Sequence, residues 1–192
     1  MRSGGPTRAV FLGMIHSDVL LCRGTADDLG SVNSVIEAAV MTWDLPERVK
    51  RLSMPSYRYG SHDLEHLELF VAAVARRGII GAAAWEQADM MDAPAGLKAL
   101  LLHGIYVHPD LHRSGIGTQL LRAAQRAAGE GGFDGLLVKA QRTAEAFFYR
   151  LGFERLPVAN PVRDYPHRLW KPLRATDKQG GIGEHAKSLA TI

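Results

Sequence analysis

The 192-residue sequence contains a single cysteine, Cys22, and so cannot form an internal disulfide. Such sparing use of cysteine is typical of a reducing compartment, and we expect the protein to be cytoplasmic. No apolar run reaches membrane-spanning length, so we expect no membrane partner. The charge balance is slight, with 23 basic and 20 acidic residues and a net charge of +3. This balance does not indicate a strongly basic surface, and we do not expect nucleic acid as a partner.

With 46% hydrophobic and 22% charged residues, the chain is typical of a folded domain with a substantial core. We expect an N-terminal extension over residues 1–17, one folded domain over 18–173 and a flexible tail over 174–192. The apolar run near the start is too short for a secretory signal and lacks a cleavage site, and Met14 could be the translational start. The tail is glycine-rich and has little periodicity.

Apolar runs and helical periodicities follow one another through the folded region. The strands first form a meander and then alternate with helices, which predicts an α/β fold with a mixed sheet and helices on its faces. The predicted strands cover residues 19–22, 67–75, 79–85, 100–107, 136–140, 153–156 and 167–171. The predicted helices cover a segment capped by Thr25 and running to Val40, then residues 45–51, 117–128 and 143–151.

A glycine-rich turn stands between one apolar strand and the helix that follows it. Gly115 and Gly117 permit a tight bend and close approach of a ligand to the backbone, and the N–H groups at a helix start attract anions. Arg113 adds positive charge within the turn, so the pattern predicts a phosphate site. A dinucleotide fingerprint would need glycine where Leu120 stands, and a P-loop would need lysine where Thr118 stands. A turn of this kind without a ligand is the remaining alternative.

The segment 112–117, His-Arg-Ser-Gly-Ile-Gly, resembles the pyrophosphate loop of the GCN5-related N-acetyltransferase (GNAT) family, with histidine replacing the usual Gln or Arg. Upstream, residues 105–107 followed by Pro109 are similar to the family's fourth strand. Downstream, residues 144–153 are similar to the helix that ends in a Leu-Gly-Phe turn. Residues 23–29 are similar to the start of the family's first helix. The resemblance spans residues 19 to 172.

This resemblance implies a GNAT-like acyl-CoA N-acyltransferase fold, with a splayed central sheet and helices on both faces. It also implies an acyl-CoA-dependent N-acetyltransferase, with acetyl-CoA as cosubstrate and direct transfer to an amine in a ternary complex. The residues that it assigns to cofactor binding are Ile105, Tyr106, Val107, His112, Arg113, Ser114, Gly115, Ile116, Gly117, Thr118 and Phe148.

Two residues are candidates for catalysis, each with an alternative. Alternation along a strand puts His103 on the same face as Ile105 and Val107, so His103 is the candidate general base. The alternative is a hydrogen-bonded core histidine. Phe148 stands where the family usually has its catalytic tyrosine. The neighbouring Tyr149 could act as the general acid if that helix were shifted in register or bulged.

The acceptor is expected to be a small-molecule or peptide amine, and the sequence does not identify it. We expect it to enter between residues 42–63 and 88–97, because loops differ most within such scaffolds. The sequence also leaves open whether the protein forms a homodimer. The acidic residues that could hold an ammonium group are Glu65, Glu68, Glu86 and Asp164.

Two other functions fit the same motifs. The missing tyrosine favours a catalytically silent acyl-CoA-binding or sensing module. An acetyltransferase toxin acting on aminoacyl-tRNA would need a strongly basic face, which a net charge of +3 does not indicate. His62 and His66 have metal-ligand spacing, but no third ligand is evident and we expect no metal site.

Overall fold

The computed structural model describes residues 19–173, so the expected extension and tail lie outside the described part of the chain. Its seven strands form one sheet in the order β1-β2-β3-β4-β5-β7-β6. The strands are β1 Val19–Arg23, β2 Glu68–Val74, β3 Gly78–Gln87, β4 Ala99–Val107, β5 Gly135–Lys139, β6 Glu154–Arg155 and β7 Arg168–Pro172. The helices are α1 Leu29–Met41, α2 Glu47–Ser53, α3 Ile116–Glu130 and α4 Glu145–Arg150.

The sheet is mixed, as the sequence predicts. β1 pairs antiparallel with β2, β4 pairs parallel with β5, and β7 pairs antiparallel with both β5 and β6. The register of β4 on β5 runs from Ala99↔Gly135 to Leu102↔Val138, whereas β4 itself continues to Val107. The last part of β4 therefore extends beyond its paired stretch, as expected of a splayed sheet.

The described chain divides into two compact units, of which the first holds residues 19–84 together with residues 105–121. Its core is built by α1, whose buried residues recur at helical spacing. The helix is preceded by a capping box, in which the Thr25 N–H donates to Asp28 Oδ2 at 2.8 Å. Buried residues of this core include Val32, Ile36 and Val40 from α1, Leu69 and Val71 from β2, Ala82 and Ala84 from β3, and Tyr106 from β4.

The second unit holds residues 85–104 and 122–173. It contains β5, β6, β7 and α4, together with the adjoining ends of β3, β4 and α3. Ala88, Ala99, Leu137 and Trp170 form a buried cluster in this unit. Leu136 and Leu137 are fully buried, which explains why β5 is a continuous apolar run.

Several predicted elements differ from the structure in extent, among them the last helix and the strand that follows it. The predicted helix over residues 143–151 begins as a 3₁₀ turn, Arg142–Ala144, and is α-helical over Glu145–Arg150. The predicted strand over residues 153–156 is reduced to Glu154–Arg155. Ends of elements follow local hydrogen bonds that periodicity does not reveal. Within residues 19–173, no helix combines the length and apolar character that crossing a membrane requires.

Candidate active site

The turn between β4 and α3 lies in the first unit and is anchored at both ends. The His108 N–H donates to Ile80 O at 2.9 Å, which ties the start of the turn to β3. A 3₁₀ turn, Pro109–Leu111, follows. The His112 ring then contacts the carbonyl at the end of β4, with Nε2 3.0 Å from Val107 O. Because a carbonyl only accepts, that nitrogen carries the proton, and the imidazole closes the turn.

Two residues in the turn adopt left-handed backbone conformations. Arg113 has a φ of 64° and Gly115 a φ of 84°. Such a conformation is easy for glycine but costly for arginine, and costs of this kind cluster at functional sites. Ser114 is buried between them, and its Oγ donates to Leu111 O at 2.6 Å. The bend before α3 is therefore held by specific bonds.

The first turn of α3 is the part of this site that can bind an anion. The Gln119 N–H donates to Gly115 O at 3.0 Å, and this is the i→i−4 bond at the start of α3. Helix geometry leaves the preceding N–H groups without an intrahelical acceptor, and the helix dipole adds partial positive charge. Gly117 and Thr118 are only half-buried. These N–H groups are thus available as hydrogen-bond donors to an anion.

Close packing on β3 sets the position of α3. Ile116 and Leu120 are buried at 1% and 0% exposure. Gly81 of β3 leaves the room that they occupy, because a Cβ there would lie 3.1 Å from Ile116 Cγ2 and 3.2 Å from Leu120 Cδ1. The same Cβ would lie 3.2 Å from Tyr106 O. The start of α3 is therefore held against the sheet with little slack.

The three residues at the end of β4 have different environments. The Tyr106 side chain belongs to the core of the first unit, and burial raises the pKa of its hydroxyl well above the ordinary range. Its side chain is thus structural, and only its backbone remains for the predicted role in cofactor binding. Ile105 and Val107 are half-buried.

His103 and Glu86 form a hydrogen-bonded pair in the second unit. His103 Nε2 lies 2.8 Å from Glu86 Oε1, and both side chains are 33% exposed. A side chain with this exposure does not lie in the core. The structure therefore does not agree with the alternative in which His103 is a core histidine. The partners are distant in sequence, and only the adjacency of β3 and β4 reveals the pair.

The helix α4 is neither shifted in register nor bulged, so its inward-facing residue is Phe148. Phe148 is 5% exposed, and its ring packs edge-on against Phe153 with centroids 5.2 Å apart. Tyr149 is 42% exposed, and its hydroxyl accepts a hydrogen bond of 3.1 Å from Arg155 Nε. The register shift that would turn Tyr149 inward is therefore not present, and the inward position belongs to Phe148.

A charged network in the second unit has no signal in the sequence. Glu145 is buried, accepts two 2.5 Å bonds from Arg155 and lies 2.8 Å from His167 Nδ1. Burial raises the pKa of Glu145, but hydrogen bonds from Arg155 and His167 outweigh it and leave this pKa below its ordinary value. The network joins α4 to β6 and to the residue before β7.

Each acid proposed to hold an acceptor ammonium already has a partner. Glu68 pairs with Arg23 at 2.9 Å. Asp164 is buried, and its pKa is lowered chiefly by the backbone N–H of Asn160. Glu65 Oε2 lies 3.4 Å from His62 Nδ1. The carboxylate of Glu65 is also the third metal-binding group that the sequence did not make evident beside His62 and His66.

Residues 88–97 are one of the two segments that we expect to border the acceptor. In this segment, the side chains of Met90 and Met91 are 85% and 60% exposed. Asp92 in the same segment pairs with Lys139, with Oδ2 2.7 Å from Nζ.

Comparison with known proteins gives one matching family model and several structures of the same fold. Residues 65–155 match the sequence model of the acetyltransferase (GNAT) domain. No curated protein sequence matches the chain. A similar solved structure is the PaiA N-acetyltransferase of Thermoplasma acidophilum in complex with coenzyme A. It is 15% identical with a TM-score of 0.64, and the match covers 80% of this chain and 98% of that one.

Two further solved structures have the same fold. A GNAT family acetyltransferase from Brucella melitensis in complex with acetyl-CoA is 16% identical, with a TM-score of 0.58 and coverage of 81% and 88%. A tyrosine-to-phenylalanine variant of the AtaT toxin, bound to the C-terminus of the antitoxin AtaR and acetyl-CoA, is 19% identical. Its TM-score is 0.57, with coverage of 81% and 94%. The order of motifs, the mixed seven-stranded sheet and the family match agree: residues 65–155 match the acetyltransferase (GNAT) domain, and the described chain has the fold of GNAT acetyltransferases.

Proposed function

We propose that the protein transfers the acetyl group of acetyl-CoA to an acceptor amine by direct attack in a ternary complex. The observation that carries this proposal is the turn that leads into α3. Its left-handed Arg113 and Gly115 precede a helix start whose N–H groups have no intrahelical acceptor. The turn also lies within the segment that matches the acetyltransferase domain.

The residues of the turn fit the pyrophosphate of acetyl-CoA. Two successive phosphates need several donors in one small concave surface, and the backbone from Gly115 to Thr118 provides them at the positive end of the helix dipole. Arg113 is exposed and adds a full positive charge in the same turn. The His112 ring holds the end of β4 beside this turn. The family resemblance supports a role for the backbone groups of Ile105 and Val107 in binding pantetheine.

A matched pair of glycine substitutions tests this cofactor site. Gly117 and Gly30 are each the second residue of a helix, in α3 and α1 respectively. A leucine at residue 117 would block the approach of phosphate to the backbone, and we expect Gly117→Leu to weaken acetyl-CoA binding in calorimetry by about tenfold or more. Gly30→Leu should bind normally, because nothing lies within 4 Å of a Cβ at Gly30. Equal affinity of both variants would contradict the proposed site.

The His103–Glu86 pair supports a role for His103 as general base. Nε2 contacts the carboxylate, so it carries the proton in the neutral ring and leaves Nδ1 with a lone pair. Glu86 thus fixes the tautomer and orientation of the ring, as carboxylates do beside many catalytic histidines.

In the proposed reaction, the bound cosubstrate supplies an activated acetyl thioester. The acceptor nitrogen forms a bond to the carbonyl carbon, and its surplus proton moves to His103 Nδ1, directly or through water. The carbon–sulfur bond then breaks with its electron pair on sulfur. A thiolate is a good leaving group, so water can supply its proton without Tyr149, which is turned toward Arg155.

The activity is tested by the release of free thiol from acetyl-CoA in the presence of a pool of amines. Release that depends on an acceptor is the expected result. Mass spectrometry of the pool then identifies the acceptor by the added acetyl group. Thiol release that is equal with and without amines would contradict amine acetylation.

A silent acyl-CoA-binding module is the second candidate function, and buried Phe148 at the usual tyrosine position favours it. Tight binding of acetyl-CoA without acceptor-dependent thiol release would support this module over the enzyme. Acetylation of aminoacyl-tRNA by a toxin stays the alternative within the enzyme class, and one structure with the same fold is that of a toxin, AtaT, bound to acetyl-CoA. Aminoacyl-tRNA is therefore included among the acceptors. The single cysteine supports the proposal that the protein works in the cytoplasm.

A further inference from the structure

Two histidines and one glutamate come together on a short turn of the first unit, before β2. One ligand atom from each of His62, Glu65 and His66 lies within 4.8 Å of the other two. His62 Nδ1 and Glu65 Oε2 are 3.4 Å apart, and the two imidazole rings stand edge to face with centroids 5.5 Å apart. All three residues are exposed. The proposed acetyl transfer makes no use of this cluster.

The backbone beneath the cluster is held in place by local bonds. The residues Asp63–Glu65 form a 3₁₀ turn, in which the His66 N–H donates to Asp63 O at 3.1 Å. The Asp63 carboxylate accepts from the Gly60 N–H at 2.7 Å. This bond occupies one oxygen of Asp63 and stabilises the entry to the turn. The three ligand-bearing residues therefore start from a defined local geometry.

The turn is also attached to the core of the first unit. The Tyr59 N–H donates to Asn33 Oδ1 at 2.9 Å, and Asn33 Nδ2 donates to Tyr59 O at 2.8 Å. Leu64 and Leu67, which flank the glutamate, pack against the core built by α1. The turn is thus fixed on both sides, and only the exposed side chains need to move to close on an ion.

We propose that His62, Glu65 and His66 bind one Zn²⁺ ion. Two imidazoles and a carboxylate are a ligand set for zinc, whereas calcium and magnesium prefer oxygen ligands throughout. Zinc bonds of roughly 2.0–2.2 Å in tetrahedral geometry place ligand atoms about 3.3–3.5 Å apart. The His62 and Glu65 atoms are already at 3.4 Å. Rotation of the exposed side chains brings the remaining atoms to this spacing, and water takes the fourth position.

Zinc at this position would fasten the turn that leads into β2 and so stabilise the folded first unit. A ligand that binds only the folded chain raises its free energy of unfolding by RT ln(1 + L/Kd), where L is the free ligand concentration. This inference is independent of the proposed acetyl transfer, since no residue of the cluster belongs to that site. Failure of either one is therefore distinguishable from failure of the other.

Zinc titration of the tag-free full-length protein tests the proposal. We expect one zinc ion per chain, detected by competition with a chromophoric chelator in a phosphate-free buffer. His62→Ala, His66→Ala and Glu65→Gln should each weaken zinc binding at least tenfold, because each removes a bond to the ion. Co²⁺ bound at the same stoichiometry should show the visible absorption of a tetrahedral site, and these variants should lose it.

The matched control is His108→Ala. His108 is also a histidine beside an acid, with its side chain 42% exposed and Nδ1 3.8 Å from Asp110 Oδ2, but it is not part of the three-ligand cluster. This variant should bind zinc like the parent protein. Circular dichroism establishes that each variant is folded. Absence of stoichiometric binding by the parent, or unchanged affinity in His62→Ala and His66→Ala, would overturn the proposal.

Discussion

Gly81→Ala should test how closely the anion-binding helix is seated on the sheet. The new methyl would lie 3.1 Å from Ile116 Cγ2, 3.2 Å from Leu120 Cδ1 and 3.2 Å from Tyr106 O. Each contact is shorter than ordinary van der Waals separation, so these neighbours must give way by a few tenths of an ångström, and we expect α3 to move with them. Overpacking of this kind costs about 1–3 kcal/mol. Because two of the three neighbours are side-chain methyl groups, we expect the lower half of that range, about 1–2 kcal/mol.

The displaced helix should also bind acetyl-CoA less well, because the N–H groups of its first turn move with Ile116. We expect affinity to fall about threefold, equivalent to roughly 0.7 kcal/mol. Urea denaturation followed by circular dichroism measures the first effect, and calorimetric titration measures the second. Gly30→Ala is the control, since a methyl there meets nothing within 4 Å. Alanine should stabilise that helix by about 0.5–1 kcal/mol. If both variants are equally stable and bind acetyl-CoA alike, the inference that α3 packs closely against β3 at Gly81 is wrong.

Three further predictions concern the second unit. His103→Ala should lower turnover by about 100-fold at neutral pH, with partial recovery as rising pH deprotonates the acceptor. Glu86→Gln keeps a hydrogen-bonding partner but removes the charge, so a smaller loss of about tenfold is expected. Phe148→Tyr should raise turnover if protonation of sulfur limits the rate, while Tyr149→Phe should change it little. Because the pKa of Glu145 is lowered from 4.5 on folding, its contribution to stability is complete above that pH and lost as the pH falls through the lowered value. Glu145→Gln should therefore be less stable than the parent at pH 7, and urea midpoints should converge under acid.

Different outcomes would contradict each of these expectations. Loss of folded structure in His103→Ala, seen by circular dichroism, would mean that the residue is structural. Loss of activity in a folded Tyr149→Phe variant that still binds acetyl-CoA would identify Tyr149 as the acid. A constant difference in urea midpoint between Glu145→Gln and the parent at every pH would show that ionisation of Glu145 does not contribute to stability.

Local sequence patterns were sufficient to predict most elements of the fold. The helical spacing of Val32, Ile36 and Val40 predicted α1, and its capping box was visible in Thr25 and Asp28. These signals depend only on residues that are near one another in the chain, so they can be recognised without the tertiary structure. The glycine spacing of the turn before α3 is also a local pattern, and it predicts a phosphate site from the sequence alone.

Only the tertiary structure brought together groups that are distant in sequence. Glu86 meets His103 because β3 and β4 are adjacent in the sheet, and neither residue signals its partner in a local pattern. Glu145 meets His167 because α4 packs beside the chain that enters β7. Both pairs depend on which elements adjoin and in which register. Hydrophobic periodicity determines which face of an element is buried, but the partner across that face is decided by packing of the whole chain.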